Sequence, residues 1–204
     1  MRITSPDTLL EEELKDIYDF EKRLVRAIPK MAKAASSEEL RTALMEHLEV
    51  TRNQVERIEQ IFGMLDRPAK GKTCSGMKGI IEEGEETLSE DMEDSLMDAA
   101  IAGAAQRVEH YEMAAYAAAH AIAEHLGNRD VADLLQQTYD EEREADEKLS
   151  ELAAQALQMT QSNGESEGML EDAVEEKRGA GNGSRRGTKQ GRGQSRPKTS
   201  RAGR

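Results

Sequence analysis

The chain has 204 residues, 34% of them charged and only 3% aromatic, with no tryptophan and a formal net charge of −13. Its one cysteine, Cys74, excludes an internal disulfide and any cysteine-rich zinc or iron–sulfur site. No apolar run approaches the roughly 18–20 residues that span a bilayer, and the opening MRITSPDTLLEEELKD lacks the apolar stretch of a secretory signal, so a cytoplasmic protein with no membrane partner is expected.

Alanine, leucine, glutamate, lysine and arginine dominate, which predicts an all-α fold. Ser5-Pro6 opens a first helix over about 6–35, with serine as cap and proline at the first helical position; Pro29 lies inside it and should bend it. Its apolar stripe runs Leu10, Leu14, Ile17, then Glu21, then Leu24, Ile28 and Met31, so a carboxylate occupies a position on the face that should be buried. Ser36 and Glu39 have capping-box spacing and start a second helix over about 37–65. Its inner face carries Leu40, Leu44, His47, Leu48, Thr51, Gln54, Ile58 and Ile61. The segment Asp66–Gly71 breaks the chain, and a short helix from Ser75 to about Leu88 is expected within the following connection.

A third long helix is predicted from about Met92 to Leu126, stopped by Gly127. Its stripe of Ile101, Ala104, Ala105, Val108, Ala115, Ala119 and Ile122 is interrupted by Glu112, with Glu109 at the edge of the arc. The fourth, about 129–158, has the stripe Val131, Leu135, Thr138, Glu142, Ala145, Leu149, Leu152, again with a carboxylate in line; Asp146 lies near the edge, and Glu141 and Glu144 project to the sides. The connections run short, long, short: two helical hairpins joined by a crossover, a pattern used by ferritin-like bundles. The expected domains are a four-helix bundle over 1–160 and a disordered tail over 161–204, Gly-, Ser- and Arg-rich towards its end. Residues 177–204 hold ten Lys or Arg and no acid, so the body is acidic and the tail basic.

Glu21, the pair Thr51/Gln54, the pair Glu109/Glu112 and Glu142 all fall within about three residues of their helix midpoints, hence within about 5 Å of a common plane at 1.5 Å rise per residue. An unpaired buried carboxylate normally finds a cation or takes up a proton. Carboxylates with few histidines suit iron or manganese, up to two ions; no organic cofactor is implied. Where di-metal bundles carry Glu-x-x-His, the second helix has only Thr51-x-x-Gln54, with His47 one turn earlier, and the third has Glu109-x-x-Glu112. Tyr18, Tyr111 and Tyr116 project near the same level; they either hydrogen-bond ligand oxygens or pack at the core edge.

The stretches EELKDIYDFEKRLVRAIPKMAKAASS, EHLEVTRNQVERIEQIF, CSGMKGIIEEGEE, AAQRVEHYEMAAY and EEREADEKL resemble the bacterial YciE/YciF-like stress proteins, ferritin-like proteins related to rubrerythrin-type bundles. The resemblance covers about residues 6–157. It implies a four-helix ferritin-like fold, homodimers, a di-metal centre and induction under stress, without a settled reaction. Its pattern maps onto Glu21, His47, Glu49, Gln54, Glu109, Glu112, Glu142 and Asp146. Val50, where an acid is frequent, and Arg52, where a histidine or acid can stand, depart from it, and the basic tail lies outside it.

Two functions follow as expectations. One is a di-iron or di-manganese protein reacting with peroxide or oxygen, peroxidase- or catalase-like if it is an enzyme, and dependent on an external electron donor because no cysteine pair is present. The other is a non-enzymatic stress protein that binds nucleic acid or a partner through Arg185, Arg186, Lys189, Arg192, Arg196 and Lys198.

Overall fold

The structure, a computed structural model, describes the backbone of residues 3–181 and the side chains of residues 3–160. All regular structure among the described residues is helical: α1 Pro6–Ala34, α2 Glu38–Met64, α3 Ser75–Thr87, α4 Asp94–His125 and α5 Arg129–Gly181. The chain divides into two units, Met1–Ser162 and Asn163–Arg204; the core and the candidate site belong to the first. None of these helices is long and apolar enough to cross a membrane.

The helix ends follow local chemistry. At the start of α1 the Ser5 hydroxyl accepts from Thr8 N at 3.3 Å while Thr8 Oγ1 accepts from Ser5 N at 3.2 Å, so two orphan donors of the first turn are satisfied reciprocally. The helix continues through Pro29 to Ala34. The cap of α2 is Ser37, one residue beyond the expected Ser36, its hydroxyl accepting from Leu40 N at 3.3 Å. A distant carboxylate decides this register: Asp98 of α4 accepts from Ser36 N at 2.8 Å and Ser37 N at 2.9 Å, pinning the α1–α2 turn to the bundle. Gly127, at φ +74°, takes the left-handed conformation that ends α4.

α1 packs on α2 and α4, and α3 covers α1 and α4. Two apolar zones result. Leu10, Leu14 and Ile17 of α1 lie on one side of Glu21, and Leu24, Ile28 and Ala32 on the other, with α2, α4 and α5 contributing Leu44, Leu48, Ile58, Phe62, Ile101, Ala105, Leu135 and Leu149. Between the zones runs a buried polar belt of Glu21, Thr51, Gln54, Glu109, Glu112, Thr138 and Glu142. The alanine-rich face of α4 lets its neighbours approach closely, so the belt is shut off from solvent on most sides.

α5 runs past its expected end near residue 158, its backbone described as helical to Gly181. The sequence supplies a reason: Met169, Leu170, Ala173 and Val174 recur at helical spacing between acidic and basic residues. Residues 182–204, and with them Arg185, Arg186, Lys189, Arg192, Arg196 and Lys198, lie outside the described residues.

Candidate metal centre

Glu21 from α1, Glu109 and Glu112 from α4, and Glu142 from α5 converge in the polar belt, each at most 2% exposed. Their helical phases bring them there: Glu21, Glu112 and Glu142 stand in line with aliphatic residues on the inward face, and Glu109 lies at the edge of that face. Nε2 of His47, on α2, lies 3.5 Å from both Glu109 Oε2 and Glu142 Oε2. His47, Glu109, Glu112 and Glu142 each offer one ligand atom, all within 4.8 Å of one another.

Among the described residues, the buried side-chain polar atoms without a hydrogen-bond partner are six oxygens, and all six are here: Glu21 Oε2, Gln54 Oε1, Glu109 Oε2, both oxygens of Glu112, and Glu142 Oε2. Buried polar groups are otherwise almost always paired, because an unmade bond in a low-dielectric interior costs roughly 1–3 kcal/mol and more for a charge. Six together require a cation, protons, or both. Burial, and then the charge of Glu142, raise Glu21, Glu109 and Glu112 well above the ordinary carboxylate range. The donor set, one imidazole and several carboxylates, matches what iron and manganese take.

Several of these groups are held at one atom and open at another. The Tyr116 hydroxyl, fully buried, donates to Glu21 Oε1 and leaves Oε2 free. Burial and the Glu21 charge push that phenol's ionisation well above its usual value, so it stays a donor. Gln54 Nε2 donates to Glu142 Oε1, leaving Glu142 Oε2 beside His47. Glu21 and Glu142 are thus oriented before any cation arrives.

The second helix differs from the expectation in an informative way. Gln54 is followed three residues later by Arg57, whose guanidinium makes two bonds to Glu141, 2.7 and 2.8 Å, and one to Thr138 Oγ1 at 2.6 Å. Burial opposes ionisation of Glu141, but the Arg57 contact outweighs it and holds that carboxyl below its usual value. A fixed positive charge therefore stands beside the cluster, about one turn beyond Gln54. Arg57 and Glu141 were not singled out by the sequence pattern; the x-x spacing from Gln54 to Arg57 was the available signal.

Four expected participants lie elsewhere. Glu49 is exposed and pairs with Arg52, because its helical phase is that of the solvated face. Asp146, one turn beyond Glu142, turns outward to Gln106 Nε2 at 2.9 Å and His110 Nε2 at 3.1 Å. The Tyr18 hydroxyl donates to Glu59 at 2.6 Å, which raises its ionisation to about 12. The Tyr111 hydroxyl lies 3.2 Å from Cys74 Sγ, at the N-terminus of α3. Of the three tyrosines, only Tyr116 reaches the carboxylates.

A bundle of two helical hairpins with a short helix in the crossover and a polar belt of inward glutamates is a ferritin-like fold. Residues 5–162 match the family described as a domain of unknown function, DUF892, and the chain belongs to it. It is 43% identical over 141 residues to protein YciF of Escherichia coli K12, covering 69% of this chain and 85% of that protein. The crystal structure of the E. coli stress protein YciF superposes with a TM-score of 0.74 at 39% identity, over 76% of this chain and 99% of the other. YcfI from Rhodopseudomonas palustris gives 0.71 at 39% identity, over 72% and 94%. A Xanthomonas campestris protein with a TM-score of 0.61, 21% identical over 79% of this chain and 99% of its own, shares the fold.

Proposed function

We propose that this stress-family protein holds redox-active iron or manganese on its buried carboxylates and reacts the reduced ions with peroxide or oxygen. The observation that carries the reading is the set of six unpartnered buried oxygens in one belt. His47, Glu109, Glu112 and Glu142 would hold a first ion. Glu21 Oε2, the second oxygen of Glu112 and Gln54 Oε1 would hold a second, weaker one, because an amide replaces a charged ligand and Arg57 adds a neighbouring positive charge. A bound reduced metal supplies electrons and Lewis acidity.

The chain's own residues do the rest. Tyr116 fixes Glu21 and Gln54 fixes Glu142, so the ligand oxygens need little reorganisation. Leu14, Ile17, Leu48 and Ile101 keep bulk water from the belt. Spent metal must be reduced from outside, since Cys74 is buried and has no second thiol to work with.

Metal analysis by mass spectrometry with an anomalous-diffraction map tests the reading. Iron-reconstituted protein should hold one tight and up to one weak ion per chain. Glu112→Ala should remove both, and Glu21→Ala the weak one. Absence of stoichiometric metal in the reconstituted wild type would refute the proposal.

A further inference from the structure

The metal cluster is closed on the α1 side by Phe20 and Tyr116, both fully buried, but it opens between α2 and α5. There a cleft of about 310 Å³ has His47 and Glu109 at its inner end and Glu46, Glu144 and Lys148 among the residues at its edge. Its walls include Ala43, Val50 and Ala145. The small alanine side chains on the two facing helices leave the space that larger residues would fill.

The size of this space exceeds what a cation or hydrogen peroxide needs. At about 30 Å³ per water it would take about ten waters, several of them against aliphatic walls. It falls at the lower end of the roughly 300–1,000 Å³ range of small-molecule pockets. The inner end presents the His47 ring, with 14% of its side chain exposed, backed at 3.5 Å by the buried, unpartnered Glu109 Oε2. An anionic head would meet Glu109 there and Glu46 and Glu144 further out, against Lys148 alone. A neutral head that can both donate and accept a hydrogen bond suits the inner end, and a compact apolar body suits the walls.

We infer that the α2–α5 cleft is a binding site for a small alkyl hydroperoxide, its O–O–H head against His47 and Glu109 and its alkyl body against Ala43, Val50 and Ala145. Binding is a property of the cleft alone, whereas turnover rests on the metal reading above. Reduced ions held by the cluster would supply the two electrons and solvent the two protons that turn a bound hydroperoxide into the alcohol and water.

The test uses the full chain and two probes. Cumyl alcohol, the stable product of cumene hydroperoxide, is titrated into metal-free protein and followed by NMR of the Ala43, Val50 and Ala145 methyl groups. Saturable shifts confined to these methyls, abolished in Val50→Trp, are expected; Ala145→Leu, a smaller filler, should weaken them if the tryptophan variant folds poorly. Absence of saturable binding, or binding equally strong in both filled variants, would overturn the inference whatever the metal does. In ferrous-loaded protein, Val50→Trp should slow oxidation by cumene hydroperoxide about tenfold, a loss of about 1.4 kcal/mol, and slow oxidation by the smaller hydrogen peroxide clearly less. Equal slowing of both oxidants would refute selection by the cleft. Alcohol binding together with failure to load metal would uphold the cleft and sink the metal centre.

Discussion

Glu112→Gln should make the metal-free protein more stable and the metal-loaded protein less so. Glu112 is 1% exposed and neither of its oxygens has a hydrogen-bond partner. At neutral pH the metal-free chain must either keep this carboxylate charged without a partner or hold a proton on it, and burial raises its ionisation accordingly. Glutamine has the shape of the protonated acid and imposes neither cost, so a gain of about 1 kcal/mol is expected, within the range seen when buried charges are replaced by neutral groups. In the wild type, a free metal concentration of 100 times Kd adds about 2.7 kcal/mol. For a domain of this size that is a rise of roughly 5–11 °C in melting temperature. The assay is thermal melting of both proteins, stripped with chelator and then titrated with Mn²⁺ under matched conditions. Stripped Glu112→Gln should melt above stripped wild type, and the metal-induced rise should shrink to a small fraction. A stripped variant clearly less stable than wild type, or a wild type indifferent to metal, would refute the reasoning.

The pH dependence should carry an unusual sign. Burial and the Glu142 charge raise Glu21, Glu109 and Glu112, so between the ordinary value near 4.5 and the raised ones the folded chain binds more protons than the unfolded chain. Their contribution is therefore fully present below the ordinary value and is lost as pH rises; metal-free melting temperature should fall as pH rises above the ordinary carboxylate range, and bound metal should flatten that slope. His47→Ala, at the rim with 14% of its side chain exposed, should weaken metal binding measured by calorimetry about tenfold or more with little change in metal-free stability. Asp98→Ala removes the acceptor of two backbone donors at the α1–α2 turn and should cost about 2 kcal/mol in urea unfolding, with Asp98→Asn costing less. Gly76→Ala places a Cβ 2.5 Å from the Tyr111 hydroxyl, so α3 must shift or the ring must swing off Cys74; a loss of about 1–2 kcal/mol is expected by the same measurement.

Helical periodicity alone determined which residues face inward in this protein. Leu10, Leu14, Ile17 and Leu24 fix the buried face of α1, and Glu21 falls on it whatever the partners are; the same holds for Glu112 and Glu142. Position along each helix then put these carboxylates at one height, Glu21 and Glu112 near the middles of α1 and α4 and Glu142 about four turns into α5, since rise per residue is constant along a helix. Chain breaks at Asp66 and Gly127 and the lengths between them fixed the hairpin–crossover–hairpin order.

The tertiary structure decided what periodicity leaves open at the edges of each stripe. Asp146 and Glu109 both sit at such an edge, and Gln106 and His110 draw the first outward while the cluster receives the second. Glu49 and His47 lie two residues apart on α2, and only the histidine's phase lets it reach α4 and α5. Tyr18, Tyr111 and Tyr116 share a height but meet Glu59, Cys74 and Glu21 respectively, because hydroxyl partners are supplied by neighbouring helices whose rotation no single stripe encodes. Arg57 has the same origin: its place beside the carboxylates depends on Glu141 and Thr138, some eighty residues away. Sequence spacing sets a side chain's direction relative to its own axis, and the packing of one axis against another sets what it meets.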